Sequence, residues 1–330
     1  MVGLGLGFFV EKSGLGPYEG VQTAIDPDGT LRILTGAASV GQGVETTIAQ
    51  IAADTLGMDY SKIRVSHGQT DELDYGLGAF ASRVTVMTGS ATHRAMLAIR
   101  QKAVAVAADL MEAAPDDLEI VGGSVQVRGT PSRSVSLGEI AVALEPAGAR
   151  RLDMKPGLGA EAWFEATHMA YPYGLHLAVV RIDPETGGIE VLRYLVAYDV
   201  GRAINPMMIE GQICGGAAQG IGGALLENFS YDELGQPQSV SFMEYLMPTI
   251  HEMPDVEMLL SEDAPSPLNP LGVKGAGEGG TTAVGAALAG AVDDALGRAG
   301  VVTELPITPQ MVRAAVRAND LCPPPTRTSA

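Results

Sequence analysis

The chain has 330 residues, 46% hydrophobic and 5% aromatic, with 42 glycines, enough for one large domain or two ordinary ones. Lysine and arginine number 21 against 39 acidic residues, a net charge of −18, so no basic surface can displace phosphate counterions and nucleic acid is excluded as a partner. Two cysteines, Cys214 and Cys322, are too few for an iron–sulfur cluster or a disulfide framework.

The opening run "MVGLGLGFFVEKSG" is apolar but short, lacks a basic flank and soon meets Glu11. It reads as neither a secretory leader nor a bilayer span, so the protein is expected to be cytoplasmic, with no membrane span. Next, "GVQTAIDPDGTLRILTGA" sets two β-rich runs around a turn, a hairpin signal. "ETTIAQIAADTLGM" follows with Ile48, Ile51, Ala52 and Leu56 at helical spacing and Gly57 as the stop. "KIRVSHG" reads as a short strand. A long alanine-rich helix is predicted from about Thr88 to Glu112, and "SLGEIAVAL" carries a Ser136–Glu139 capping box.

Past a Pro-, Gly- and charge-rich stretch near 145–160, the chain reads as strands with a hairpin at "DPETGG". A helix is expected over Asn205–Asn228, a hairpin-like unit at "FSYDELGQPQSVSF", and a helix over Thr281–Ala299. A last helix starts with Thr308 as N-cap and Pro309 as first residue, and the tail "CPPPTRTSA" is expected to be disordered. Hairpins mixed with helices, without regular βαβ alternation, point to an α+β fold. Two subdomains are expected, residues 1–155 and 156–330.

The segment "VKGAGEGGTTA" raises the functional question. Gly275, Gly277 and Gly280 match a dinucleotide-loop spacing, but the upstream "DAPSPLNPLGVK" is no buried strand, and too little chain follows to complete such a fold. The alternative centres on Glu278. Glycines on both sides let a ligand approach the backbone, and a carboxylate so presented can act as a general base. Equally, it could be an N-terminal charge for the helix that follows. Three more stretches share this design: Gln42 between Gly41 and Gly43, the small-residue run Ala79–Ser82 with Arg83, and "DVGRAINP" with Asn205 at a helix start and Gln219 beyond. Each sets polar groups among glycines or small residues at a helix entrance, where amides can hold phosphates and flat heterocycles.

In order along nearly the whole chain, from "FVEKSGLGPYEG" onward, these motifs resemble the molybdenum-binding subunit of the molybdenum hydroxylases. That family includes xanthine oxidase, aldehyde oxidase and carbon monoxide dehydrogenase. The resemblance implies the family's molybdenum cofactor-binding fold, with molybdopterin, in bacteria usually the cytosine dinucleotide form. It implies pterin contacts from Gly41, Gln42, Gly43 and Gln219, with Phe80, Ala81, Ser82 and Arg83 passing beside the metal. Asp199 and Asn205 would line the nucleotide end. Lys274, Gly275, Ala276 and Gly277 would approach the cofactor, and Glu278 would be the catalytic base for water-derived hydroxylation of a small substrate. No side chain need ligate the metal, which the pterin dithiolene holds. Accordingly His67, His93, His168, His176 and His251 are read as structural.

The chain also departs from that pattern. Val44 stands where many relatives carry His, Val200 where many carry Cys, and Ala79 where Thr is common. The family subunit is more than twice as long, and its first half, which bears most of the substrate pocket, has no counterpart here. The expectation is a split gene whose other half is a second molybdenum-domain subunit, with iron–sulfur ([2Fe–2S]) and FAD subunits taking the electrons. The alternatives are a fragment of a longer subunit and a non-catalytic cofactor-binding paralogue or assembly scaffold.

Overall fold

The computed structural model describes residues 1–321. The tail expected to be disordered lies outside the described residues. The first strand, β1 (Val2–Val10), belongs to a sheet completed much later in the chain. The hairpin expected around "DPDG" forms as β2 (Tyr18–Ile25) and β3 (Leu31–Thr35), antiparallel. The chain then crosses over through helix α1 (Val44–Leu56) and lays β4 (Ile63–His67) parallel to β3. Gly57 ends α1 in the left-handed conformation, φ 75°.

Helix α2 (Val84–Met111) begins ahead of the expected Thr88, directly after Ala81 and Ser82, both at positive φ (47° and 48°). Its buried stripe of Met96, Ile99, Ala103 and Val106 packs with Ile48 and Leu56 of α1 in the first core. Each such side chain contributes about 1.5–3 kcal/mol by burial, and truncating Ile99 to alanine would cost about 2–5 kcal/mol. The short strands β5 (Leu118–Val121), β6 (Ser124–Val127) and β7 (Thr130–Ser136) form an antiparallel meander that the sequence reading did not foresee. Helix α3 (Leu137–Ala143) starts on the expected capping box, with Glu139 N–H donating to Ser136 Oγ at 3.1 Å. After α4 (Pro146–Arg151), β8 (Leu158–Glu165) pairs with β2, completing a sheet of order β4-β3-β2-β8.

The second sheet has order β1-β9-β10-β11. Strands β9 (Tyr173–Ile182) and β10 (Ile189–Asp199) form the hairpin expected at "DPETGG". Helix α5 (Pro206–Leu225) leads back to β11 (Val256–Ser261), parallel to β10. The helix expected over Thr281–Ala299 is broken at Ala283 into a turn, α6 (Gly279–Thr282), and α7 (Val284–Leu296), which Gly297 ends. Helix α8 (Pro309–Leu321) closes the described chain, and Thr308 Oγ1 accepts from Met311 N–H at 3.2 Å as its cap.

The glycines of β1 alternate onto the buried face, and a Cβ at Gly5 would stand 2.0 Å from Ala287 O of α7. Strand and helix therefore touch backbone to backbone. Tyr194, Val196 and Tyr198 of β10 join Ile213, Val284 and Leu288 in this second core.

The two cores exchange strands across the expected division at 155/156. β8 lies with the first sheet and β1 with the second. The "FSYDELGQPQSVSF" stretch forms no paired strands, only an isolated bridge between Tyr231 and Pro237. Among the described residues, no helix is long and apolar enough to cross a membrane.

Candidate active site

Between the two cores lies a cleft of about 250 Å³, walled by both. The turn before α1, the loop before α2, the β10–α5 connection and the glycine-rich loop before α6 all reach it. Of the sequence-predicted residues, Gln42, Phe80, Ala81, Ser82, Arg83, Asn205 and Lys274 through Glu278 line it. Stretches of chain up to 236 positions apart (278 − 42) thus converge on one site.

Glu278 stands at the start of α6, yet its side chain makes no capping hydrogen bond. Its backbone carbonyl accepts from Thr281 and Thr282 N–H, at 2.9 and 3.2 Å. The carboxylate is exposed at the cleft, as a proton acceptor requires. Gly275 is fixed at both ends of its backbone. Its N–H donates to Ser13 Oγ at 2.9 Å, and its carbonyl lies 2.9 Å from the buried Tyr198 hydroxyl. A Cβ on Gly275 would meet Ser82 Cβ at 2.4 Å, so the loop and the 81–82 turn need glycine to lie so close.

Several predicted residues have structural duties. Arg83 is fully buried. Its guanidinium pairs with Glu19 at 2.5 Å and donates to Leu15 O at 2.7 Å and Tyr18 O at 3.1 Å, which anchors the loop at the cleft wall. Lys274 is nearly buried against Asp199, Nζ to Oδ1 at 2.7 Å, and lies over the Tyr173 ring at 4.7 Å. Asp199 itself sits behind Lys274, outside the cleft lining, with Oδ2 unpartnered. Asn205 caps α5 through Met208 N–H (3.1 Å) and donates to Gln50 Oε1 of α1 (2.9 Å), tying the two halves together. The Gln42 amide closes its own turn, accepting from Val40 N–H at 2.6 Å and donating to Ala38 O at 2.9 Å. Gly41 and Gly43 flank it at φ 97° and 80°, which frees the turn but keeps them off the cleft wall.

Gln219 is exposed on α5 and does not line the cleft. Gln212, two helical turns earlier on the same face, does. Sequence reasoning also passed over Arg202, Glu11 and Tyr198. The spacing between Gln212 and Gln219 could have flagged the first glutamine, since seven residues bring a helix back to one face. Nothing local marks Glu11 or Tyr198.

His176, read as structural from sequence, is buried beneath the loop. Its Nε2 lies 2.8 Å from Gly279 O and its Nδ1 2.7 Å from the Tyr194 hydroxyl. Burial lowers its pKa, so it is neutral, with the proton on the nitrogen facing the carbonyl. Among the described residues, no cluster of three or more His, Cys, Asp or Glu is placed to hold a metal ion.

The molybdopterin cofactor-binding domain family matches residues 1–254, and the chain belongs to that family. It is 45% identical over 311 residues to the gamma subunit of the 6-hydroxypseudooxynicotine dehydrogenase complex of Paenarthrobacter nicotinovorans, covering 94% of this chain and 39% of that one. In structure it resembles quinoline 2-oxidoreductase from Pseudomonas putida 86, with a TM-score of 0.87 and 37% identity over 96% of this chain and 42% of that one. Carbon monoxide dehydrogenase from Oligotropha carboxidovorans gives a TM-score of 0.89 at 32% identity, over 97% of this chain and 41% of that one. The fold is thus that of the molybdenum-binding part of the molybdenum hydroxylases, and the chain spans about two fifths of the length of these relatives.

The residues present suit such a cofactor. Ser82 Oγ, in the loop that lines the cleft, is buried beside the Glu11 carboxyl and makes no hydrogen bond of good geometry, so it can serve a ligand. Facing it is Gly275, where a Cβ would stand 2.4 Å from Ser82 Cβ.

Proposed function

We propose that the chain forms part of the molybdenum-binding subunit of a molybdenum hydroxylase, with Glu278 as its catalytic base. The observation that carries this reading is the uncapped Glu278 carboxylate at the mouth of a cleft shared by both cores. Bound there, a molybdopterin cofactor, in the cytosine dinucleotide form, would supply a Lewis-acidic two-electron centre. Ser82, the 81–82 backbone, Gln42 and Gln212 would hold its pterin, with Gly41 and Gly43 shaping the Gln42 turn and Gln219 extending the α5 contact. Lys274, with Asp199 behind it, and the exposed Arg202 would lie toward its anionic end. Phe80, half exposed, closes one side.

Glu278 would take up the proton released as a water-derived oxygen is transferred to substrate carbon. The substrate would be a small N-heterocycle, aldehyde or related molecule. Likeness to proteins named for quinoline and a nicotine-derived compound supports the N-heterocycle class. Electrons would pass to [2Fe–2S] and FAD centres on partner subunits in the cytoplasm.

The remaining three fifths of the subunit would come from a second polypeptide. Uncovered apolar side chains support this partner. Phe8 and Val10 on the outer side of β1, and Phe242 and Met243 before β11, are all at least 68% exposed. Obligate interfaces commonly bury more than about 2,000 Å² and resemble a core cut in two.

Co-expression with the second molybdenum-domain polypeptide and the iron–sulfur and flavin subunits should yield a soluble, coloured complex with molybdenum bound. The chain expressed alone should be metal-free and aggregation-prone. A monomeric preparation that oxidises a substrate unaided would overturn the proposal.

A further inference from the structure

Beneath the glycine loop lies a buried acid that the site as described does not use. Glu11, at the end of β1, is 6% exposed. Its Oε2 lies 3.0 Å from the hydroxyl of Tyr198, and that hydroxyl is 2.9 Å from Gly275 O. A phenol has one proton, and a carbonyl can only accept. With its proton directed at the Gly275 carbonyl, Tyr198 has only a lone pair to offer Glu11. The short contact between the two side chains is satisfied when Glu11 carries a proton and donates it to the Tyr198 oxygen.

The surroundings favour that neutral form. Glu11 Oε1 is buried and makes no hydrogen bond of good geometry; the Ser82 hydroxyl beside it favours the carboxylate, and burial, the larger effect, opposes it. The groups facing Glu11 are the Tyr198 hydroxyl from β10, the Ser82 hydroxyl from the loop before α2, and the Glu278 carboxylate from the glycine loop. Asp199 faces Tyr198. No cation acts on Glu11 itself, and the Lys274 ammonium lies beyond, paired with Asp199. Burial raises the Glu11 pKa, the nearby Ser82 and Tyr198 hydroxyls offset part of that, and the Glu278 charge adds to it. Burial also raises the Tyr198 pKa, which keeps its donor proton in place.

We propose that Glu11 is a protonated positioning residue that, acting through Tyr198, clamps the Gly275 carbonyl and so sets where Glu278 is presented to the cleft. His176 holds the Gly279 carbonyl in the same way on the other side of Glu278. The catalytic carboxylate is thus suspended between two carbonyls fixed from below.

The functional consequence rests on Glu278 being the base, but the clamp itself does not. In the unfolded chain Glu11 ionises in the ordinary carboxylate range, whereas folding holds its proton to higher pH. The stability it lends is full at low pH and is lost as pH rises through the folded pKa.

The test is hydrogen exchange across the Val273–Thr282 segment, followed over pH on the full chain in the complex it is purified in. It compares wild type with Glu11→Ala, Glu11→Gln and Tyr198→Phe. Glu11→Ala and Tyr198→Phe should each speed exchange of the loop about tenfold, the factor one buried hydrogen bond represents. Glu11→Gln keeps a donor that cannot ionise. It should restore wild-type protection and remove the loosening seen in wild type as pH rises. If Glu11→Gln is as loose as Glu11→Ala, the proton is not what matters. If Glu11→Ala or Tyr198→Phe leaves the loop as protected as wild type, the clamp does not exist. Exchange requires no turnover, so this inference and the assignment of Glu278 fail separately.

Discussion

Replacing Gly275 with alanine is the perturbation whose consequences the geometry fixes most fully. The added Cβ would stand 2.4 Å from Ser82 Cβ, 2.5 Å from Ser13 Cβ and 2.5 Å from Ser82 O. Ordinary van der Waals contact begins at 3.4 Å, so the loop and the 81–82 turn must part by about 1 Å (3.4 − 2.4). Neither side yields easily. Gly275 is bonded at its N–H to Ser13 and at its carbonyl to Tyr198, while Ala81 and Ser82 already occupy left-handed backbone. Overpacking of this kind costs about 1–3 kcal/mol. A reacting group displaced by about 1 Å loses on the order of 100-fold in rate.

The assay is kcat per bound molybdenum beside the thermal midpoint of the purified complex. Gly290→Ala in α7 is the control. Its nearest neighbour would be 3.7 Å from the new Cβ, and a helical Gly-to-Ala change should stabilise by about 0.5–1 kcal/mol. Wild-type turnover per molybdenum and an unchanged melt in Gly275→Ala would refute the idea that this close approach positions Glu278.

Lys274→Met strips Asp199 of its buried partner and should destabilise by about 3–5 kcal/mol. Adding Asp199→Asn should recover part of that loss, whereas strictly additive losses in melting would contradict the pairing. Gln42→Ala removes two hydrogen bonds that close the cleft turn, each worth about 1 kcal/mol. It should lower molybdenum per protein more than rate per molybdenum, and unchanged metal content would count against it. Gln212→Ala should lower metal content more than Gln219→Ala, since only Gln212 lines the cleft; the reverse order would restore Gln219 as the principal contact.

Local chemistry made much of the fold readable. The "DPDG" and "DPETGG" turns, the Gly57 stop and the Ser136 capping box each declare their element within a few residues. The glycine-cushioned motifs likewise declared most of the cleft, because their design repeats at four places in the chain. Pairings at long range stayed hidden. The opening run of β1 is assigned to no element from the sequence alone, since its partners β9 and α7 lie far along the chain.

The β5–β7 meander is built of short and, in β7, polar strands that carry little periodicity. The buried ion pair of Arg83 is invisible in the sequence because its partner Glu19 is 64 residues away, with no motif linking them. Tyr198 of β10, His176 of β9 and Glu11, just past β1, are brought together under one loop by the sheet register, which no spacing in the sequence expresses. Gln219 stands out in the sequence by its glycine neighbours, but Gln212, nearer the cleft end of the helix, is the one that lines it.

The central claim is that this chain supplies the base of a molybdenum hydroxylase. The most direct measurement is turnover per bound molybdenum, with a small N-heterocycle as substrate, for Glu278→Gln in the co-expressed complex. The amide matches the carboxylate in shape but cannot take the proton. The account predicts unchanged folding and molybdenum content, with turnover lower by roughly 10²–10⁴-fold. Near wild-type turnover at full molybdenum loading would contradict it.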